Sequence, residues 1–339
     1  MQVHSDISNL PFFKNAVVTI GTFDGVHTGH LQIIHQLKKE AAHIGGETVI
    51  ITFHPHPRMI INAAPRVNYE EIKLLNTLPE KIELLQNQNI DHLVIVPFTK
   101  EFSEQSPEEY IRDFLVTKFH PHIIIIGYDH KFGRNRQGDY KLLESNQSIY
   151  NFKVKEIPEH VLHHVIISST RIRHALEKGD IITANEYLGY NYFFEGKIIE
   201  GDKLGRTLGY PTANIEVTDK NKLVPGNGVY AVEVEIDNRQ LTIGNKQIFH
   251  RASANIEHRT SHIPHLKGMM NIGFRPTVGG TKKVIEVNIF DFDKSIYSQN
   301  IRVYVQYFLR DEIKFNGLET LKKQLAIDKI NALQILNKN

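Results

Sequence analysis

The chain has 339 residues, 41% hydrophobic and 23% charged, which at roughly 150 residues per domain predicts about two globular domains. Lys and Arg number 40 against 38 Asp and Glu, a formal charge of +2, too even a balance for a nucleic-acid-binding or polybasic membrane surface. Cysteine is absent, which excludes disulfides, zinc–thiolate and iron–sulfur sites and thiol catalysis, and fits a reducing cytoplasm.

The opening residues lack the basic and apolar regions of a secretory signal. The longest aliphatic runs, such as residues 123–126, are strand-sized and too short to span a bilayer. The expectation is a cytoplasmic protein with no membrane segment.

In chain order, residues 16–20, 48–53, 93–97 and 122–127 are short, continuous, β-branched runs. Such runs suit parallel strands covered on both faces. Helical patterns lie between them at residues 31–42, 79–87 and 107–119. The last opens with Ser106 as N-cap and Pro107 at the first helical position, with Glu108 and Glu109 where the dipole favours negative charge. This alternation predicts an α/β fold, a doubly wound parallel sheet of Rossmann type.

The texture changes after about residue 189. Residues 193–200, 228–237, 284–292 and 300–309 read as strands separated by turn signals, and Leu318, Leu321, Leu325, Ile330 and Leu333 then recur near helical spacing. This predicts a small antiparallel β-barrel with a C-terminal helix, and a division into domains at 1–186 and 187–339. Residues 244–267 fit neither pattern. They carry His250, His258, His262 and His265 with an interrupting Pro264. They read as an exposed loop, or as a zinc site using the i,i+4 pair His258 and His262.

Residues 21–30, GTFDGVHTGH, join the first strand to the first helix. Gly21, Gly25 and Gly29 permit close backbone approach. A helix N-terminus offers free N–H groups and partial positive charge to a phosphate. His27 and His30 share one face of the first turn and can donate to phosphate oxygens as charge builds on them. The string is neither a Walker loop nor a dinucleotide fingerprint.

With these residues the chain resembles the HxGH nucleotidyltransferase superfamily. More narrowly, it resembles the N-terminal module of the prokaryotic bifunctional riboflavin kinase/FAD synthetase family. Residues 167–173, ISSTRIR, are similar to that family's (I/V)SSTxIR element, which the resemblance places facing the HxGH turn and closing on a triphosphate. Ser168, Ser169 or Thr170 can cap a helix there, and Arg173 presents a bidentate fork. The resemblance assigns Gly21, Thr22, Phe23, Gly25, Gly29, Ser169 and Thr170 to nucleotide, and His27, His30 and Arg173 to catalysis.

Residues 52–57, TFHPHP, match the family's tandem prolines, so Pro55 and Pro57 are expected near flavin. Residues 127–133, GYDHKFG, followed by Gly138 and Asp139, resemble its GxDFxFG…GD loop. That loop adds Asp129 as a flavin residue, with His130 standing where an aromatic is commoner.

Residues 201–215, GDKLGRTLGYPTANI, place Lys203 and Arg206 among Gly201, Gly205 and Gly209, a composition able to wrap nucleotide phosphates. Thr212 and Asn214 are two apart; if they begin a strand, both side chains point the same way, and they offer hard oxygen ligands to Mg2+ shared with phosphates. The string resembles the riboflavin kinase motif GxxxGRxLGxPTAN. Residues 284–292, VIEVNIFDF, match that family's E-V-x-(I/L)-x-D-F strand. Alternation puts Glu286 and Asn288 on one face, with Glu286 the implied general base and Asn288 replacing the His often found there. NIGFRPT at 271–277 and LRDEIKF at 309–315 resemble further family strings. The second makes Arg310 either an ordering residue of a flap over flavin or a salt-bridged surface arginine.

The resemblance therefore implies ATP-dependent phosphorylation of riboflavin to FMN in the C-terminal module and adenylylation of FMN to FAD in the N-terminal one. Mg2+ with ATP and the flavins would be the small-molecule partners, with no nucleic acid or membrane and a monomer or weak homo-oligomer. The alternatives are a riboflavin kinase with an inactive nucleotidyltransferase domain, and a non-catalytic flavin sensor.

Overall fold

The computed structural model describes residues 1–61, 72–158, 167–201, 205, 208–237, 265–277 and 280–338. The histidines at 250, 258 and 262, and with them most of segment 244–267, lie outside the described residues, as do Lys203 and Arg206. The chain divides into two compact units, Met1–Ser168 and the described residues from Ser169 onward.

The first unit is built on a six-stranded sheet: β1 (Gln2–His4), β2 (Val17–Ile20), β3 (Thr48–His54), β4 (His92–Pro97), β5 (Ile123–Gly127) and β6 (Lys153–Ile157). The strand order is β1-β4-β3-β2-β5-β6, every pairing parallel. Period-2 alternation sorts the apolar runs onto two faces. Val18, Ile20, Val49, Ile51, Ile124 and Ile126 pack into one core, and Val17, Ile50, Leu93, Ile95 and Ile123 into the other. Burying each such side chain contributes roughly 1.5–3 kcal/mol.

The four predicted strands are present, and the sheet adds two edge strands that have no apolar run. β1 is only three residues long. β6 reads KVKEI with its lysines and Glu156 exposed, so its pattern is mostly polar.

The helix Thr28–Ile44 buries Ile34, Leu37 and Ala41 and ends at Gly45 in the left-handed region. Ser106 caps as its sequence predicts. Its Oγ accepts from Glu109 N at 3.2 Å, and Glu109 Oε2 accepts from Ser106 N at 2.8 Å. That helical run is α-helical only over Pro107–Glu109 and Thr117–Phe119, and π-helical over Tyr110–Val116.

The second unit opens with helices Ser169–Glu177 and Ile181–Leu188. The barrel follows: β7 (Phe193–Ile199), β8 (Ala213–Glu216), β9 (Gly228–Asp237), β10 (Leu266–Thr277), β11 (Gly280–Ile289) and β12 (Asn300–Arg310). It closes in the order β10-β11-β8-β7-β12-β9. Closure removes unpaired edges. Asn185 fixes the second helix to the barrel, donating from Nδ2 to Val305 O at 2.9 Å and accepting from Tyr192 N at 2.8 Å. The helix Leu318–Leu336 buries Ala332 and Leu336 against Ala231, Met269 and Phe290.

Candidate active sites

Because the strands of the first unit run parallel, their carboxyl ends lie along one edge of the sheet. The chain winds outward from β2 through β3 to β4 and returns on the other side at β5, so β2 and β5 flank a topological switch point, where open α/β sheets bind ligands. The turn 21–27, the segment 54–57 and the loop 127–133 all leave the sheet along this edge.

His27 caps the helix Thr28–Ile44, its Nδ1 accepting from His30 N across a long 3.4 Å. That leaves the Nε2 side of His27 to carry the ring proton. The His27 and His30 rings stack, with centroids 3.7 Å apart at 19°, and Phe23 covers His30 at 4.9 Å. Gly29 gives the His27 ring room in the stack. A Cβ there would stand 3.2 Å from His27 Nδ1. Burial, reinforced by neighbouring His27 and Lys81, holds the His30 imidazole well below its ordinary pKa of 6.5. His30 is therefore neutral near pH 7, and its buried Nδ1 has no hydrogen-bond partner among the described residues.

The turn itself is strained. Phe23 and Val26 have φ of 46° and 39°, on either side of Gly25 at 93°. A non-glycine residue held in such a region costs roughly 1–3 kcal/mol and persists only where its surroundings over-determine it. Two buried groups that the motifs do not single out supply that constraint. Asp24, 1% exposed, accepts from Leu75 N at 3.0 Å and Asn76 N at 3.3 Å. Lys81, on the helix Leu78–Gln86, donates from Nζ to Thr22 O at 2.7 Å. The same carbonyl accepts from Thr52 Oγ1 at 3.1 Å. The one signal for Lys81 in the sequence is a charge beside Ile82 and Leu85 on the buried side of an amphipathic helix.

The flavin candidates diverge in exposure. Pro55 follows a cis peptide bond, and Pro57 starts the short helix Pro57–Ile61. Asp129 is exposed, whereas His130 is half-buried, 6.0 Å from the Phe132 ring. Burial, opposed by Asp129, lowers the His130 pKa to about 4. Ser169, Thr170 and Arg173 lie on the helix Ser169–Glu177, in the second unit, with Arg173 buried.

In the barrel, Glu286 on β11 is paired in register with Asn214 on β8 and with Asn271 on β10. Glu286, Asn288, Thr212, Asn214 and Gly205 line one cavity of about 270 Å³. A second, smaller cavity is lined by Gly201, Phe292, Lys294 and Tyr297, and Thr212 and Asn214 border both. The Asn214 amide lies over Gly201, where an added Cβ would approach Nδ2 to 2.0 Å. Asn288 has a defined task without being histidine. Its Nδ2 donates to Pro211 O at 2.7 Å and anchors the residue before Thr212.

Arg310 lines the larger cavity and is also ion-paired, but to an internal partner. Its Nη2 and Nε lie 2.7 and 2.9 Å from the two carboxylate oxygens of Asp328. Gly209 sits in the turn before β8 with φ of 81°.

Among the described residues, no helix is long and apolar enough to cross a membrane. The family model described as FAD synthetase matches residues 11–171, and the riboflavin kinase model matches residues 188–336. The bifunctional riboflavin kinase/FMN adenylyltransferase of Listeria monocytogenes is 34% identical over 93% of this chain and 90% of its own. The enzyme of the same description from Buchnera aphidicola is 36% identical over 93% and 92%. A crystal structure described as a macrolide-efflux protein from Streptococcus pneumoniae matches with a TM-score of 0.78 and 26% identity, covering 96% of both chains. The chain belongs to the family of bifunctional riboflavin kinase/FMN adenylyltransferases, enzymes with a FAD synthetase module followed by a riboflavin kinase module.

Proposed function

We propose that each module works through the residues described above, with residues 1–186 forming the FMN adenylyltransferase and 187–339 the riboflavin kinase. The observation that carries the kinase assignment is the register of Glu286 against Asn214 beside the junction of two cavities. A carboxylate and a pair of neutral oxygen donors there suit a hydroxyl on one side and a phosphate chain on the other. Glu286 takes the proton from the primary 5′-hydroxyl of riboflavin as its oxygen attacks the γ-phosphorus of ATP and ADP departs.

Thr212 and Asn214 supply hard oxygens, too few to cage a cation alone, which fits Mg2+ that arrives with the ATP phosphates and offsets their charge. Gly201, Lys203, Gly205, Arg206 and Gly209 would wrap those phosphates, and Arg310 would order the flavin side of the larger cavity.

In the first module, a phosphate oxygen of FMN attacks the α-phosphorus of ATP and pyrophosphate leaves. The residues need only position two anions and stabilise the added charge. Neutral His30, His27, the N–H groups at the helix start and Arg173 supply that stabilisation. Gly21, Thr22, Phe23, Gly25 and Gly29 shape the nucleotide cradle with Ser169 and Thr170, while Pro55, Pro57 and Asp129 border the flavin. The partners are ATP, riboflavin and FMN, with no nucleic acid or membrane. The setting is cytoplasmic, and the assembly a monomer or weak homo-oligomer.

A chromatographic time course with riboflavin, excess ATP and Mg2+ tests both halves in one tube. FMN should appear first and convert to FAD. FMN that accumulates without FAD would leave only the kinase assignment standing.

A further inference from the structure

We propose that Lys81 is a positioning residue for adenylyl transfer, clamping the strained turn at 22–26 so that His27, His30 and the helix start meet the phosphates in working geometry. This rests on the assignment of that turn to the adenylyltransferase.

Lys81 is 6% exposed and reaches back across 59 residues of sequence to donate to Thr22 O. Its helix is independently fixed by Pro79 and by a capping box between Thr77 and Glu80. The bond is thus made by an anchored element to the backbone of the turn. Asp24 closes the clasp in the opposite direction, from the turn to the two residues just before the N-cap of that helix. Together they hold Thr22 and Asp24, the residues on either side of left-handed Phe23.

Packing alone does not call for an ammonium here. An apolar side chain of similar length would fill the site without the cost of burying charge. The ammonium also acts on the stack, since it is one of the charges that keeps His30 unprotonated.

The charged and titratable groups around Lys81 are Asp24 in the turn, which acts on it, and His30 in the first helix, on which it acts; Glu80 on its own helix is bonded to Thr77 N. Burial, against the pull of Asp24, lowers the Lys81 pKa to about 8. Below that pH the charged clasp is in place, and above it the clasp weakens. The stability contribution runs the other way. Between about 8 and the ordinary 10.5 the unfolded chain holds more protons on this residue, so folding is favoured as pH rises. A merely structural lysine would make activity and stability move together.

The test uses the full-length enzyme with Lys81→Gln and Lys81→Arg. FMN adenylylation is measured against pH, and riboflavin phosphorylation serves as the internal control. Lys81→Gln should lower kcat for FAD formation by roughly 10²-fold, the scale of a small misplacement, with KM values and phosphorylation unchanged. Lys81→Arg should keep activity and shift the alkaline fall of kcat upward from about pH 8. If the Gln variant fails to fold, the Arg profile decides. An unchanged kcat in Lys81→Gln, a loss confined to KM, or a wild-type alkaline limb in Lys81→Arg overturns the proposal. A wild-type enzyme that makes FMN but no FAD overturns the assignment of the turn, and the proposal with it.

Discussion

Arg310 at the end of β12 and Asp328 in the middle of the C-terminal helix are joined by a two-pronged ion pair, at 2.7 and 2.9 Å, although Asp328 is only 1% exposed. The pair ties the helix to the rim of the cavity that holds Glu286. Removing one partner of a buried pair leaves the other charge uncompensated, at a cost of about 3–5 kcal/mol. Asp328→Ala should therefore lower the denaturant midpoint of the barrel unit and raise KM for riboflavin. A variant with wild-type stability would show that the pair is dispensable.

Glu286→Gln keeps the size of the side chain and removes its capacity to take a proton. FMN formation should fall below detection, while adenylylation of supplied FMN continues at the wild-type rate. Loss of both steps in a folded protein would refute the division of labour between the modules.

For His30→Ala, FAD formation should drop by roughly 10²-fold or more, the scale for deleting a donor to developing charge, with riboflavin phosphorylation spared. The depressed basicity of His30 also fixes a sign. Its protonation begins only well below the ordinary 6.5. FAD formation should therefore show no acidic limb from this residue as pH falls from neutrality through 6.5, which a pH series with supplied FMN would reveal.

The two close-packed glycines give a paired experiment. In Gly29→Ala the new methyl would press on His27, with Nδ1 3.2 Å away. In Gly201→Ala it would collide with the Asn214 amide. The first should impair only FAD synthesis and the second only FMN synthesis, measured side by side on one preparation each.

The sequence is most informative where its meaning is local. Strands buried on both faces are continuous apolar runs, so the interior of the parallel sheet could be read directly, whereas β6, with one polar face, could not. β8 begins two residues after the PTAN proline, Pro211, and is only four residues long, so no apolar run marks it. The histidines of the turn announce themselves because a cap, a glycine and a second imidazole fall within a few positions. Lys81 and Asp328 act on partners 59 and 18 residues away, and no spacing rule links them. Asn288 illustrates a different limit. Its departure from the expected residue was visible, but its bond to Pro211 depends on the barrel's closure.

The helices Ser169–Glu177 and Ile181–Leu188 have a practical consequence for anyone wishing to produce the two halves separately. Ile172, Leu176, Ile181 and Leu188 are at most 1% exposed, the second helix packs on β12, and Leu176 O accepts from Gly226 N at 3.0 Å. A cut after residue 186 would strip Ile172, Leu176 and Ile181 from their cover and bare the matching wall of the barrel, producing sticky fragments on both sides. A cut after Ser168 would give a well-covered kinase but carry Ser169, Thr170 and Arg173 away with it. Both helices therefore belong with the barrel for their packing, and a fragment carrying the second unit should begin at Ser169.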